Sequence, residues 1–484
     1  MTMPIFSAAI PEIFVLCMAC FVLLLDVSLG KQRSVVTYHA TQLTVIITFL
    51  LTLQQYTHCH AAIVTFSGHY VLDKLALIVK LFILITCLFA FSYGRQYIHY
   101  RHIARGEYYT LGLFALLGMQ VMASAYSFLT IYLGLELLSL SLYSMVALQR
   151  ESIFAVEAAM KYFITGALAS GLMLYGISMI YGATGTIEIA AFPAILNTFS
   201  HNQEIVVLLG LVFVLSGLIF KFGAVPFHMW VPDVYHGAPT SVTLFIASAP
   251  KIAAFVVIMR VLVEAFPSLG IQWEHILIVV AILSMFLGNV LAIAQTNLKR
   301  MLAYSSIAHI GYMVLGIIAG PGSNQGYSAA MFYITTYVLV AAGAFAIIAL
   351  LSQKDSEFDK LDDFRGLNAR NPWLAFLMLL LMFSMAGVPP TVGFFAKLGL
   401  LEALVEAHYV WLAVLALLFA IIGAYYYLRV VMLMYFEEPY EPYVGTRLAI
   451  APGIMAAITV NGIGALVFGL LPSGLIELCR VSLG

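Results

Sequence analysis

Charge is scarce in this sequence. Only 9% of its 484 residues are Asp, Glu, Lys or Arg, where a soluble domain usually carries about a quarter. With 63% hydrophobic residues, a chain of this length cannot present a polar surface to water, so its solvent is lipid. The net charge of -1 offers no basic field for nucleic acid. Cysteine is scarce too, with five residues at 17, 20, 59, 87 and 479. Cys17 and Cys20 form a C-x-x-C, but no second pair and no nearby histidine completes a metal site. They read as small residues on one helix face. Nothing in the sequence reads as a ligand set for an iron–sulfur cluster or haem. No G-x-x-x-x-G-K-[ST] occurs, which excludes a P-loop for ATP. The first apolar run, "AAIPEIFVLCMACFVLLLDVSLG", lacks a positive n-region and is too long for a signal h-region, so it reads as a retained span.

Long apolar runs stand where charge is missing. A span needs roughly 20 apolar residues. Such runs lie near 8–29, 36–56, 75–94, 109–125, 127–148, 156–182, 205–230, 240–264, 275–295, 300–319, 328–351, 372–400, 409–435 and 450–471. They predict an all-α polytopic membrane protein of about 14 transmembrane helices with short loops. Lys31, Arg33, Arg95, Arg101, Arg105, Arg150, Lys299, Arg300, Lys354, Lys360, Arg365, Arg370 and Arg447 follow odd-numbered spans. Only Lys74, Arg260 and Arg480 fall on the other side. The positive-inside rule then makes the odd-span loops cytoplasmic and turns both termini outward.

Two pairs of segments repeat. "EAAMKYFITGALAS" opens the sixth span and "SAAMFYITTYVLVA" the eleventh. "GAVPFHMW" interrupts the seventh span and "AGVPPTVGFFAK" the twelfth. The unit is five spans, an odd number, so the second copy is upside down. This predicts two inverted five-helix repeats, spans 4–8 and 9–13, each with a broken helix and a working site near the midplane. The expected domains are a three-helix segment at 1–108, the repeats at 109–264 and 265–435, and a C-terminal helix at 436–484.

An ionisable side chain at the bilayer centre costs at least about 2.5–3.5 kcal/mol, which makes each one a functional candidate. The plainer alternative is a side chain that snorkels to the interface. Lys80 and Arg429 lie toward span ends and read that way, and Glu12, Asp26 and Glu264 read as interfacial. Glu136 has no interface within reach, and Tyr132, Ser139 and Tyr143 give it a polar stripe. Lys221 precedes Gly223 and Pro226, which interrupt the backbone ladder. Irregular backbone at that depth is tolerated only where a cavity exists. Lys251 is flanked by Ser248 and Pro250. Lys397 follows Pro389, Pro390 and Gly393. Burial disfavours a charged amine and a nearby carboxylate restores it, so moving the carboxylate switches the amine between holding and releasing a proton. A row of such lysines joined by water is a proton path. Lys161 either extends that row or neutralises Glu157. His228, His236 and His309 suit relays, with a satisfied core histidine as the alternative. The many Tyr and Phe read mostly as packing or interface belt.

The stretches "FKFGAVPFHMWVPDVYHGAPTSVTLFIASAPKIAAF" and "AGVPPTVGFFAK" resemble the antiporter-like membrane subunits of respiratory complex I, the NADH:quinone oxidoreductase. The resemblance runs from the first span to the last. It implies a glutamate on the fifth span, lysines on the seventh and eighth, and a lysine or glutamate on the twelfth. Glu136, Lys221, Lys251 and Lys397 stand there, and Lys161 on the sixth span also fits. The Pro-Pro-x-x-Gly-Phe-Phe-Ala-Lys form is similar to the branch with lysine on the twelfth span, where the middle branch usually has glutamate. The resemblance implies proton translocation in a bacterial inner membrane, with no cofactor on this chain. FMN, iron–sulfur clusters and quinone would belong to partner subunits. Implied partners are other membrane subunits, including another antiporter-like subunit and the lateral helix of subunit L. A subunit of a multi-subunit sodium/proton antiporter shares the fold and the Glu–Lys pattern. A solute symporter would instead show a shaped polar pocket, and a purely structural subunit would tolerate neutral residues at all four charged positions.

Overall fold

The computed structural model describes residues 4–28, 33–101, 103, 106–323, 325–352, 357–439 and 450–483. Lys31, Arg105, Lys354 and Arg447, used above for orientation, lie outside them. Among the described residues, 12 helices are long and apolar enough to cross a membrane. Helix is what lipid dictates, because each backbone polar group finds its partner within the segment. Two further spans complete the expected set. One is the helix Gly106–Ser124, and the other is a twelfth span built from Pro372–Ala386 and Val392–Glu406. A small hairpin joins spans 2 and 3, with Ile63–Thr65 antiparallel to Tyr70–Leu72. After the last span, Pro452–Leu470, a further short helix runs over Ser473–Leu483.

The chain forms two compact units. The first comprises Met1–Leu88, Arg105–Phe222 and Ala249–Ile276, and the second Phe89–Ala104, Gly223–Ser248 and Leu277–Gly484. Within the first, span 6 (Ile153–Thr184) and span 7 (His201–Phe222) cross at bare backbone. A Cβ on Gly176 would lie 2.5 Å from the Gly210 carbonyl oxygen. Such close approach supplies the packing that drives helix association in lipid. Within the second, span 10 (Leu298–Ala319) and span 11 (Gly326–Leu351) are buried along almost their whole length.

Three spans are interrupted. Span 7 ends at Gly223, whose φ of +73° is left-handed, and the chain resumes helix at Trp230–Gly237. Span 12 breaks at Gly387, φ +85°, ahead of Pro389 and Pro390. The third break was not anticipated. The stretch expected as one helix over 240–264 is Thr240–Ile246, then Ala249–Met259, then a π-helical turn Arg260–Ala265. Pro250 has no N–H for the Ile246 carbonyl, and the Ser248 hydroxyl donates to the Leu244 carbonyl at 2.7 Å.

Several charges expected at the interface are buried instead. Lys80 is fully buried and pairs with Glu12. Glu12 and Asp26 are 6% and 3% exposed. Arg260, expected in a loop, is 2% exposed and bridges Asp73 at 2.7 Å and Glu264 at 2.6 Å. Hydrogen-bonded partners make such burial tolerable.

Candidate functional site

Lys221 lies in the last turn of the His201–Phe222 helix, just before Gly223 ends it. Its neighbours on that helix are apolar and buried, so the ammonium has to find its partner on another helix. Nζ donates to the Ser139 hydroxyl at 2.9 Å, and that hydroxyl donates to the Leu135 carbonyl at 2.6 Å. Ser139 belongs to span 5, Phe128–Val146, which also carries Glu136. The Glu136 carboxylate acts on Lys221 through its charge. One of its oxygens is buried with no partner among the described residues. Ser139, Tyr143, Gly166, Ser170 and Lys221 line a small cavity, with room for about one water. The polar stripe read along span 5 is therefore real on its Ser139 and Tyr143 side. Lys251 sits in the first turn of Ala249–Met259, immediately after the unexpected break, and is buried.

In the second unit Lys397 occupies a matching place. It rises from Val392–Glu406 and donates to the Met385 and Ala386 carbonyls at 3.0 and 2.8 Å. These are the last carbonyls of Pro372–Ala386, the negative end of the helix dipole. The side chain passes over Gly387, where an added Cβ would lie 2.9 Å from Lys397 Cδ. Its Nζ stands 5.3 Å from the centre of the Tyr312 ring, within cation–π range. His309 lines the same small cavity, with Tyr333, Tyr337 and Ser384. Its Nδ1 is 2.6 Å from the Tyr333 hydroxyl and its Nε2 2.9 Å from the Tyr427 hydroxyl. The ring stacks on Tyr337 at 4.3 Å, and Tyr427 continues to Ser305.

Most tyrosines are expected in packing or the interface belt, and these three are exceptions. Tyr333 and Tyr427 reach His309 by their hydroxyls and Tyr337 by its ring. The available signal was Tyr333 and Tyr337 one turn apart, with the pair Tyr426-Tyr427 on span 13. Lys161 goes elsewhere. It is about half exposed on span 6 and pairs with Glu157 at 2.7 Å, as the neutralising alternative required. His228 lies half-buried in the break after Gly223 and lines neither cavity.

The connector after span 11 also does more than link. Glu357 accepts from the Tyr97 hydroxyl and, at 2.8 Å, from the Thr240 hydroxyl, with Arg101 at 3.6 Å. Lys299 donates to the Ala238 carbonyl at 3.0 Å and the Thr240 hydroxyl at 3.3 Å. Burial alone would push the Glu357 carboxyl up. Lys299, the Tyr97 and Thr240 hydrogen bonds and Arg101 outweigh it and hold the group below its ordinary value of 4.5. This network pins the chain entering Thr240–Ile246. Among the described residues no group of three or more His, Cys, Asp or Glu could hold a metal ion.

Residues 125–423 match the family described as NADH:quinone oxidoreductase/Mrp antiporter, TM. The sequence is 51% identical to NADH-quinone oxidoreductase subunit N of Thiobacillus denitrificans, covering 100% of this chain and 99% of that protein. It is 50% identical to the Coxiella burnetii subunit N, covering 99% of each. A chain of respiratory complex I from Thermus thermophilus with bound aureothin superposes with a TM-score of 0.82 at 33% identity, covering 97% of this chain and 99% of that one. A chain of the Mrp complex from Dietzia sp. shares the fold, with a TM-score of 0.85 at 20% identity over 99% and 97% of the two chains.

Proposed function

From the premise that the chain belongs to the NADH:quinone oxidoreductase/Mrp antiporter membrane family, in the branch of subunit N of complex I, we propose that its buried lysines carry the protons. The chain is a multi-pass membrane protein, an antiporter-like subunit of a multi-subunit translocase. The observation that carries the proposal is a repetition. Twice, at Lys221 and at Lys397, a lysine amine sits at the C-terminal end of a helix broken at a left-handed glycine, facing a cavity of about one water.

Opposite charge holds a proton on an amine, and withdrawing it lets the proton go. Glu136 supplies that charge in the first unit, so the Glu136–Lys221 pair is the switch. No carboxylate lines the Lys397 cavity among the described residues, and His309 stands there instead. The transfer steps run through Lys221, Lys251, Lys397 and His309, while Lys161 and His228 line neither cavity. Redox chemistry, with its flavin, clusters and quinone, belongs to partner subunits. Other membrane subunits, the lateral helix of subunit L among them, flank the chain in the bacterial inner membrane with both termini outside. The test is Lys221→Ala in inverted membrane vesicles. NADH-driven proton pumping should fall about tenfold or more, one decade per about 1.4 kcal/mol, with assembly and NADH oxidation by an artificial acceptor retained. Intact pumping would remove Lys221 from the path. Sodium-dependent proton movement without NADH would favour the sodium/proton antiporter.

A further inference from the structure

The first unit holds buried polar groups that the lysine sites do not use. They lie where span 1 (Ile10–Ser28), span 2 (Arg33–His58) and span 4 (Gly106–Ser124) pack against one another. Span 1 carries its two buried carboxylates, Glu12 and Asp26, on one face about four turns apart, roughly 21 Å along the axis. Val15, Ala19 and Val22 fill that face between them. Asp26 covers the start of span 4, where a Cβ on Gly106 would fall 1.7 Å from its carboxylate. At the opposite end Glu12 pairs with Lys80, and the Tyr70 hydroxyl lies 3.1 Å from each. The backbone of Tyr70 bridges to Ala125, which follows Ser124, the last residue of span 4. Gly106 and Ser124 are about five full turns apart and so share one face.

Gln120 lies on the adjoining face. It is about three turns beyond Tyr109, whose ring meets Tyr38 of span 2 at 5.9 Å. Gln120 is fully buried, and neither its amide nitrogen nor its oxygen has a partner among the described residues. The hydroxyls of Thr41 and Thr110, buried on spans 2 and 4, have none either. Thr44, Thr48 and Thr52 continue the Thr41 stripe down span 2, and each donates to the carbonyl one turn back. Bonds within their own helix account for those three. They do not account for Gln120, an amide whose burial without partners is expensive and whose ordinary remedy is ordered water.

We propose that spans 1, 2 and 4 enclose a second hydrated path for protons, running from Asp26 past Gln120 to the Glu12–Tyr70–Lys80 cluster. The cluster acts as its gate. Passing the proton from Lys80 Nζ through the Tyr70 hydroxyl to the Glu12 carboxylate turns an ion pair into a neutral amine and acid. The cluster's total charge is unchanged by that step; the Glu12 proton then leaves on water and Lys80 regains one from water on the Gln120 side. The path is separate from the Lys221 and Lys397 cavities and does not depend on their assignment.

The test uses the assembled membrane complex carrying a chain whose five cysteines are replaced. Single cysteines are placed at Thr41, Gln120 and, as a control, Ala115, which is buried on the other side of span 4. A small cationic methanethiosulfonate should modify Thr41→Cys and Gln120→Cys at least about tenfold faster than Ala115→Cys, because thiolate forms only in contact with water. Uniformly slow modification would overturn the hydrated seam. In parallel, Gln120→Leu should at least halve NADH-driven proton pumping with assembly and NADH oxidation by an artificial acceptor unchanged. Normal pumping in that variant overturns the proton path even if the seam is wet. Loss of pumping in Lys221→Ala but not in Gln120→Leu sinks this inference alone, and the reverse sinks only the lysine assignment.

Discussion

Lys221 and Lys397 meet one requirement with different chemistry. Lys221 donates to a side chain, the Ser139 hydroxyl, whereas Lys397 donates to two backbone carbonyls above the Tyr312 ring. Ser139→Ala therefore strips Lys221 of its acceptor, a loss of about 1–3 kcal/mol. We expect pumping to slow by about tenfold, measured in vesicles against the amount of assembled complex. No substitution removes the Lys397 carbonyls. Tyr312→Leu takes away the ring, worth about 0.5–2 kcal/mol, and the hydroxyl's bond to the Ala416 carbonyl, but leaves Lys397 both of its acceptors, and should slow pumping less than Ser139→Ala does. Glu136, Lys221, Lys251 and Lys397 stand out in the sequence because they lie far from any span end, whereas the buried Glu12, Asp26, Lys80 and Arg260 lie near span ends and read as interfacial or loop charges. The tyrosines around His309 do not stand out. A tyrosine in an apolar helix reads the same whether its hydroxyl meets lipid headgroups or an imidazole, and only side-chain direction separates the two.

At the scale of the element, the glycines at the breaks carry the geometry. Gly387 has φ +85°, and its Cα passes close under Lys397. Gly387→Ala forces a side chain into the left-handed region at a cost of roughly 1–2 kcal/mol and pushes on the lysine stem. The variant should melt at a lower temperature and pump less. Gly399→Ala, on the same span, meets nothing nearer than 3.9 Å and should match wild type in both measurements. The breaks in spans 7 and 12 could be read from Gly-Ala-Val-Pro and Val-Pro-Pro. The break before Lys251 could not, since Ser248 and Pro250 stood in a run apolar enough for an unbroken helix. It took the position of Pro250 opposite the Ile246 carbonyl to end the first segment.

At the scale of the whole molecule, the network on Glu357 gathers residues from distant parts of the sequence, Tyr97, Arg101, Thr240 and Lys299. Its carboxyl is held below the ordinary value of 4.5, so the folded state favours the charged form. That stability is present above pH 4.5 and is lost as pH falls through the depressed value. Wild-type protein should melt at progressively lower temperature as pH drops below 4.5, and Glu357→Gln should be less stable at neutral pH but flatter across that acid range. Differential scanning fluorimetry in mild detergent reads both. Around Glu357 the sequence shows charge density but not which distant groups converge on it. The division of the chain carries one further consequence. The first unit includes Ala249–Ile276, yet Gly223–Ser248, synthesised just before, belongs to the second. Biogenesis therefore cannot finish one half and then begin the other. While the ribosome is still translating the eighth span, the first half lacks its last piece and the second has only its opening stretches of polypeptide. A nascent chain stalled after Phe222 would leave a membrane intermediate with no Lys251, open to quality-control proteases.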